Sequence, residues 1–171
     1  LDKFGLTLEK PVAVFCPGAE YGPAKRWPIP YFAELAQRLQ QQGYAVWIVG
    51  SRKEQEIGDK IVALGNLSTR NLCGSTSLAD AISLLSCASL VVSNDSGLMH
   101  IAAALDRPML ALYGSSSPGF TPPLSQQAKI LKIDIACSPC FKRECPLGHF
   151  KCMKNLTPQM VAEHIPELIS Q

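Results

Sequence analysis

The strongest constraint on this chain is a rhythm. Short apolar runs stop at glycine, serine or proline, and segments whose apolar residues recur at helical spacing follow them. Pro11–Cys16 ends at Pro17-Gly18 and Ala45–Val49 ends at Gly50-Ser51, the form of strands buried on both faces. Between them, Tyr31 to Gln42 puts Phe32, Leu35, Ala36 and Leu39 on one side of a helix, with Gly43 just past its end. Glu54 to Leu64 repeats the pattern through Ile57, Ile61 and Leu64. A short strand near Arg70 to Cys73 follows, and Ser77 with Asp80 forms a capping box for a helix over Leu78 to Ala88. Leu90 to Ser93 reads as a fourth strand, Gly97 to Leu105 as a short helix, Pro108 to Tyr113 as a fifth strand and Lys129 to Ile133 as a sixth. Thr157 and Pro158 supply an N-cap and a first-turn proline for a final helix to about Ile169. Parallel neighbours need connections about as long as these helices. The alternation therefore predicts one α/β domain over residues 1–171, a Rossmann-like doubly wound parallel sheet of about six strands.

Bulk properties narrow the partners. A net charge of +2 is too small to argue for nucleic acid or a membrane surface, so any anion must be held locally. No apolar run approaches the ~20 residues of a membrane span, and no basic segment leads into a signal core. The chain reads as cytoplasmic. It opens on Leu1 rather than Met, and the expectation is a piece of a longer protein. Of seven cysteines, Cys16, Cys73 and Cys87 sit alone in apolar surroundings and read as small hydrophobes.

In a doubly wound sheet the carboxyl ends of the strands share one rim, where ligands bind. Those ends read Pro17-Gly18-Ala19, Gly50-Ser51-Arg52, Asn94-Asp95-Ser96-Gly97 and Gly114-Ser115-Ser116-Ser117. Small residues let a backbone approach a ligand, and free N–H groups at a helix start favour phosphate oxygens. Asp95 or Ser96 alone reads equally well as an N-cap, Asn94 as a turn residue and His100 as a satisfied core histidine. Four polar groups and a glycine at one rim position are more than a cap requires. Lys25 and Arg26 lie in a loop stiffened by Gly22, Pro23 and Pro28, which holds a cation over the rim at reduced ordering cost; a solvated basic turn is the plainer alternative. There is no G-x-G-x-x-G and no G-x-x-x-x-G-K-[ST], so hydride transfer and P-loop chemistry lose support.

Three stretches carry a resemblance: residues 16–28 (CPGAEYGPAKRWP), 91–125 (with D-S-G-L-M-H, A-A-x-x-x-P and L-Y-G) and 137–153 (CSPCFKRECPLGHFKCM). Together they resemble the C-terminal, donor-binding half of the bacterial lipopolysaccharide heptosyltransferases, glycosyltransferase family 9. The resemblance implies a GT-B enzyme of two Rossmann-like domains, of which this chain is the nucleotide-sugar (donor) binding domain. It implies ADP-heptose as donor, the lipopolysaccharide inner core as acceptor, and no metal or other cofactor for the transfer. The acceptor site and the catalytic base belong to an N-terminal domain absent from this chain, so no catalytic residue is expected here, and the domain alone should bind donor without turnover. By motif, Asp95, Ser96, Gly97 and His100 fall to the diphosphate and heptose, Lys25 to the diphosphate, and the Gly18-Ala19 backbone lies close by. Family members often place an acidic residue directly after the second strand. Here that turn reads Ser51-Arg52-Lys53-Glu54, and Glu54 is expected to take the role one turn later. A cytoplasmic enzyme, peripheral at the inner face of the inner membrane, is the implied setting. A stand-alone ADP or nucleotide-sugar binding module is the alternative.

Cys137, Cys140, Cys145 and Cys152 place four thiols within sixteen residues, with His149 between the last two. The density suits a tetrahedral zinc site, although the second pair is spaced too widely for a standard knuckle. Disulfides and reduced structural thiols fit the spacing as well, and a zinc-dependent interaction domain is the third function class it admits.

Overall fold

The computed structural model describes residues 1–65 and 69–170. Six strands, β1 (Val12–Cys16), β2 (Ala45–Ile48), β3 (Arg70–Asn71), β4 (Leu90–Asn94), β5 (Met109–Tyr113) and β6 (Ala128–Lys132), form one sheet in the order β3-β2-β1-β4-β5-β6. Every pairing is parallel. The helices are α1 (Ile29–Gln41), α2 (Gln55–Gly65), α3 (Leu78–Ser86), α4 (Gly97–Ala104), α5 (Lys151–Lys154), α6 (Pro158–Glu163) and α7 (Ile165–Ile169). The expected fold class holds, with the chain reversing direction of sheet growth between β1 and β4.

The continuous apolar strands are explained by two cores, one on each face of the sheet. Ala13, Phe15, Val46, Ile48, Leu90, Val92, Leu110 and Leu112 join one core with α1, α6 and α7. Val12, Val14, Cys16, Trp47, Val91, Met109, Ala111 and Tyr113 join the other with α3 and α4. Helix α1 shows which force holds these elements. Pro28 at its N-cap makes no side-chain cap bond, a loss of about 1 kcal/mol. Phe32, Leu35 and Leu39 are fully buried, and each such side chain contributes about 1.5–3 kcal/mol. Burial of one face outweighs the missing cap.

Two sequence expectations change. The final helix is two helices that meet at His164, because Pro166 has no N–H to continue the hydrogen-bond ladder of α6 and sits instead in the first turn of α7. Asn94 ends β4 rather than forming a turn. The capping box at Ser77/Asp80 and the Thr157 cap form as expected. Burial pushes the thiols of Cys16 and Cys73 up, Cys73 to about 12, so both stay protonated and pack as small apolar groups; Cys87 is partly buried.

Candidate functional site at the sheet outlet

The strand ends meet where β1 and β4 lie side by side. Lys25, in a single helical turn (Pro23–Lys25) after β1, points its Nζ to within 2.6 Å of Asp95 Oδ2. The pair is largely withdrawn from water, the side chains being 16% and 4% exposed. Lys25 also lies 5.1 Å from the Tyr21 ring centroid, where a cation is attracted to the π face. Asp95 accepts a second bond from the Thr121 hydroxyl, 3.3 Å from each carboxylate oxygen. Tyr113 donates its hydroxyl to the Thr121 carbonyl, and burial together with the Asp95 charge pushes the Tyr113 phenol far up, keeping it a donor. The cation is thus positioned by a chain of three residues, Asp95 directly after β4, Thr121 in the loop after β5, and Tyr113 at the end of β5.

Asn94 fixes the loop from below. Fully buried, it accepts the Trp27 backbone N–H at 3.1 Å and donates Nδ2 to the Pro17 carbonyl at 2.8 Å. Arg26 donates to the Ala19 carbonyl at 3.2 Å. These contacts tie both ends of the 17–27 loop to the sheet.

Two cavities flank the ion pair. The first, about 370 Å³, is lined by Gly18, Ala19, Ser51, Glu54, Ser96 and Gly97, with Val49, Leu78 and Ile101 giving it an apolar wall. Glu54 is buried and accepts the N–H (2.7 Å) and hydroxyl of Ser51 through Oε2, completing a capping box; among the described residues Oε1 carries no partner. Gly18 is required here, because a Cβ would stand 2.6 Å from Glu54 Cγ. Ser96 occupies the N-cap of α4 without donating or accepting a side-chain cap bond, so the first amides of that helix keep no side-chain cap. The second cavity, about 400 Å³, is lined by Tyr21, Lys25, Ser116, Phe120, Thr121 and Phe141. Among the described residues the buried Ser116 Oγ there has no hydrogen-bond partner.

The structure therefore gathers Gly18, Ala19, Ser51, Glu54, Ser96 and Gly97 at one cavity and joins it through Asp95 to Lys25. His100 was expected to face the same way. It is exposed and lines neither cavity: Gly97, Leu98 and Ile101 share the cavity side of α4, and position 100 falls about 100° around the helix from their mean direction. Among the described residues no group of three or more His, Cys, Asp or Glu is already arranged to hold a metal ion, so the four clustered cysteines do not form a preassembled zinc site. No helix among them is long and apolar enough to cross a membrane. Tyr113 and Thr121 are additions that the sequence reading did not single out, while Asn94 and Ser116 lay in the rim stretches without an assigned role.

Fold and site together define a doubly wound α/β ligand-binding domain with its pocket at the topological switch point. The family can be stated more closely: the chain belongs to glycosyltransferase family 9, the heptosyltransferases, whose model matches residues 1–151. It is 46% identical to lipopolysaccharide heptosyltransferase 2 of Salmonella typhimurium over 98% of this chain and 49% of the relative. The structure of E. coli ADP-heptose lps heptosyltransferase II superposes with a TM-score of 0.88 at 43% identity, covering 99% of this chain and 50% of that one. E. coli heptosyltransferase WaaC with ADP gives a TM-score of 0.74 at 26% identity, covering 96% and 46%. The chain spans about half the length of the relatives it matches.

Proposed function

We propose that residues 1–171 are the donor-binding domain of an enzyme that transfers heptose from ADP-heptose to the inner core of lipopolysaccharide. The observation that carries this reading is the Lys25–Asp95 pair, held between two cavities beside an α4 N-terminus that lacks a side-chain cap. Family membership and the ADP bound in the structure of E. coli heptosyltransferase WaaC support it. In this reading adenosine enters the first cavity against Val49, Leu78 and Ile101, and Glu54 with Ser51 meets the ribose. The diphosphate lies over Gly18-Ala19 and the Ser96-Gly97 amides, with Lys25 beside it, and the sugar extends toward Thr121, Ser116 and the second cavity. His100 serves whatever part of the donor or acceptor reaches beyond both cavities.

The chemistry asks little of this domain beyond charge placement. An acceptor oxygen forms a bond to the anomeric carbon, the bond from that carbon to the β-phosphate oxygen breaks, and ADP leaves with the electron pair. The acceptor proton passes to a base supplied by the rest of the enzyme. Negative charge grows on ADP as the bond breaks. Lys25 and fixed amide dipoles therefore stabilise the transition state more than the ground state. Asp95, already bonded to Lys25 and Thr121, positions the cation.

Saturating ADP is expected to raise the melting temperature of the chain. At a hundredfold excess over Kd the gain is about 2.7 kcal/mol, or about 5–10 °C for a domain of this size. UDP and GDP should give smaller shifts, and Asp95→Ala and Lys25→Ala should reduce the ADP shift. Equal shifts for the three nucleotides, or none with ADP, would count against an ADP-sugar site. Gly97→Ala separates binding from folding. A Cβ there meets no atom within 4 Å and the position is helical. Stability should stay level or rise by up to about 1 kcal/mol, while the ADP shift collapses if the phosphates need that surface. A full ADP shift in Gly97→Ala would move the diphosphate elsewhere.

A further inference from the structure

The donor reading places the diphosphate but gives the second cavity no chemistry of its own. That cavity has two kinds of wall. One is polar and nearly uncharged: Ser116, Ser117 and Thr121 bring three hydroxyls, and among the described residues Lys25 is the only charged side chain that lines it. The other is aromatic, from Tyr21, Phe120 and Phe141. Phe120 is 79% exposed and Phe141 45%, although rings of that size gain most when withdrawn from water. The two meet edge to face with centroids 5.3 Å apart. Both are held from behind. The Phe141 backbone has φ 55°, a region that aromatic residues rarely adopt. Its N–H reaches the Ser115 carbonyl at 2.7 Å, and its carbonyl accepts the Tyr21 hydroxyl at 2.8 Å. Phe120 lies in a turn closed by its N–H on the Ser117 carbonyl at 3.0 Å, and the residue after it is Thr121, whose hydroxyl meets Asp95. The aromatic wall is therefore tied to the Lys25–Asp95 pair. Ser116 adds an independent sign of a ligand. The residue is only 8% exposed, and its Oγ has no partner among the described residues. A buried hydroxyl left unpaired is destabilising, and one change of staggered rotamer is enough to redirect it.

Hydroxyls beside aromatic faces, without an opposing carboxylate, suit a neutral sugar: its C–H groups lie against the rings and its hydroxyls exchange bonds with serine and threonine. We infer that the second cavity reads the exocyclic two-carbon glycol of the donor sugar, with Ser116 bonding its hydroxyls and Phe120 and Phe141 packing against its C–H groups, so that a seven-carbon sugar is selected over a six-carbon one. The inference rests on the donor reading of the rim, which brings the sugar here, and adds which part of the sugar decides specificity and which residues read it. Connectivity sets the direction. In a pyranose the phosphate is on the anomeric carbon, and the exocyclic chain leaves the carbon on the other side of the ring oxygen. Lys25 and Thr121 belong both to the ion-pair chain and to the cavity wall, so a sugar anchored through its phosphate at the first extends its far end into the second. A hexose has one carbon and one hydroxyl fewer in that chain. It would leave Ser116 unpaired, and a site rejects an analogue most strongly when its own buried polar group loses its partner.

The test is titration calorimetry of the chain with ADP, ADP-heptose and two six-carbon donors, ADP-mannose and ADP-glucose. The three nucleotide sugars carry the same diphosphate charge, so the differences between them report the sugar alone. ADP-heptose should bind at least about tenfold more tightly than either hexose donor. Ser116→Ala should weaken ADP-heptose by about tenfold and close most of that gap. Phe120→Ala should weaken ADP-heptose about fivefold more than it weakens ADP. Leu124→Ala, in the same loop but 84% exposed and lining neither cavity, should change none of these ratios. If ADP binds but the heptose and hexose donors are equal, or the gap survives Ser116→Ala, the glycol site is overturned and the donor reading stands. If ADP does not bind, the donor reading falls and the inference with it. Phe120 is exposed, so its variant decides the location even if Ser116→Ala fails to fold: an equal loss for ADP and ADP-heptose in Phe120→Ala puts the sugar outside this cavity.

Discussion

Lys25→Met is expected to lower the unfolding free energy by about 3–5 kcal/mol, although the residue sits in a loop. The cause is the partner. The Asp95 side chain is only 4% exposed, and among the described residues its charge without Lys25 keeps only the Thr121 hydroxyl. Removing one member of a buried pair leaves the other charge uncompensated, which costs far more than breaking a surface pair worth about 0–1 kcal/mol. Asp95→Asn should be milder, about 1–2 kcal/mol, because a freed Lys25 can extend its head to water along an apolar stem. The double variant Lys25→Met/Asp95→Asn should recover much of the loss, giving a coupling of about 2 kcal/mol in a denaturation cycle. A cost below about 1 kcal/mol for Lys25→Met would mean that the carboxylate is solvated after all. In every variant lacking Lys25 the ADP shift should be reduced.

The parts of this molecule that were legible in the sequence are those governed by local periodicity. Val12–Cys16, Ala45–Ile48, Leu90–Asn94 and Met109–Tyr113 announce themselves as apolar runs because both faces of the sheet are covered. Their shared outlet follows from the topology of parallel sheets, and that rule alone brought Lys25 and Asp95 to one rim across 70 residues of sequence. The pairing partners that complete the site have no such signature. Thr121 reaches Asp95 from 26 residues away out of an irregular loop, and Tyr113 looks like any other core strand residue until its hydroxyl is placed. The rim reading of Gly114-Ser115-Ser116-Ser117 included Ser116 but stopped four residues short of Thr121, which no strand end marks. His100 marks the limit of motif spacing: it stands on the exposed side of α4, outside the lining of both cavities.

Asn94 carries the second large expectation. Asn94→Ala should cost about 2–4 kcal/mol, because the Trp27 N–H and the Pro17 carbonyl would both stay buried without a partner, at about 1–3 kcal/mol each. Asn94→Asp should be worse: its acceptor still meets Trp27, but a carboxylate would face the Pro17 carbonyl beside the existing Asp95 charge, in a fully buried position. The functional consequence separates a clamp from mere packing. Asn94 bonds both the segment leading into Gly18-Ala19 and the segment leaving the Lys25 turn to β4, so its loss should weaken ADP binding about tenfold or more even well below the melting temperature, where the chain is folded. A distant core truncation of similar cost, such as Leu168→Ala, should lower stability without that loss of affinity. If calorimetry finds the two variants equal in ADP affinity, then Asn94 only supports the fold, and the geometry of the rim is set by the Lys25–Asp95–Thr121 chain alone.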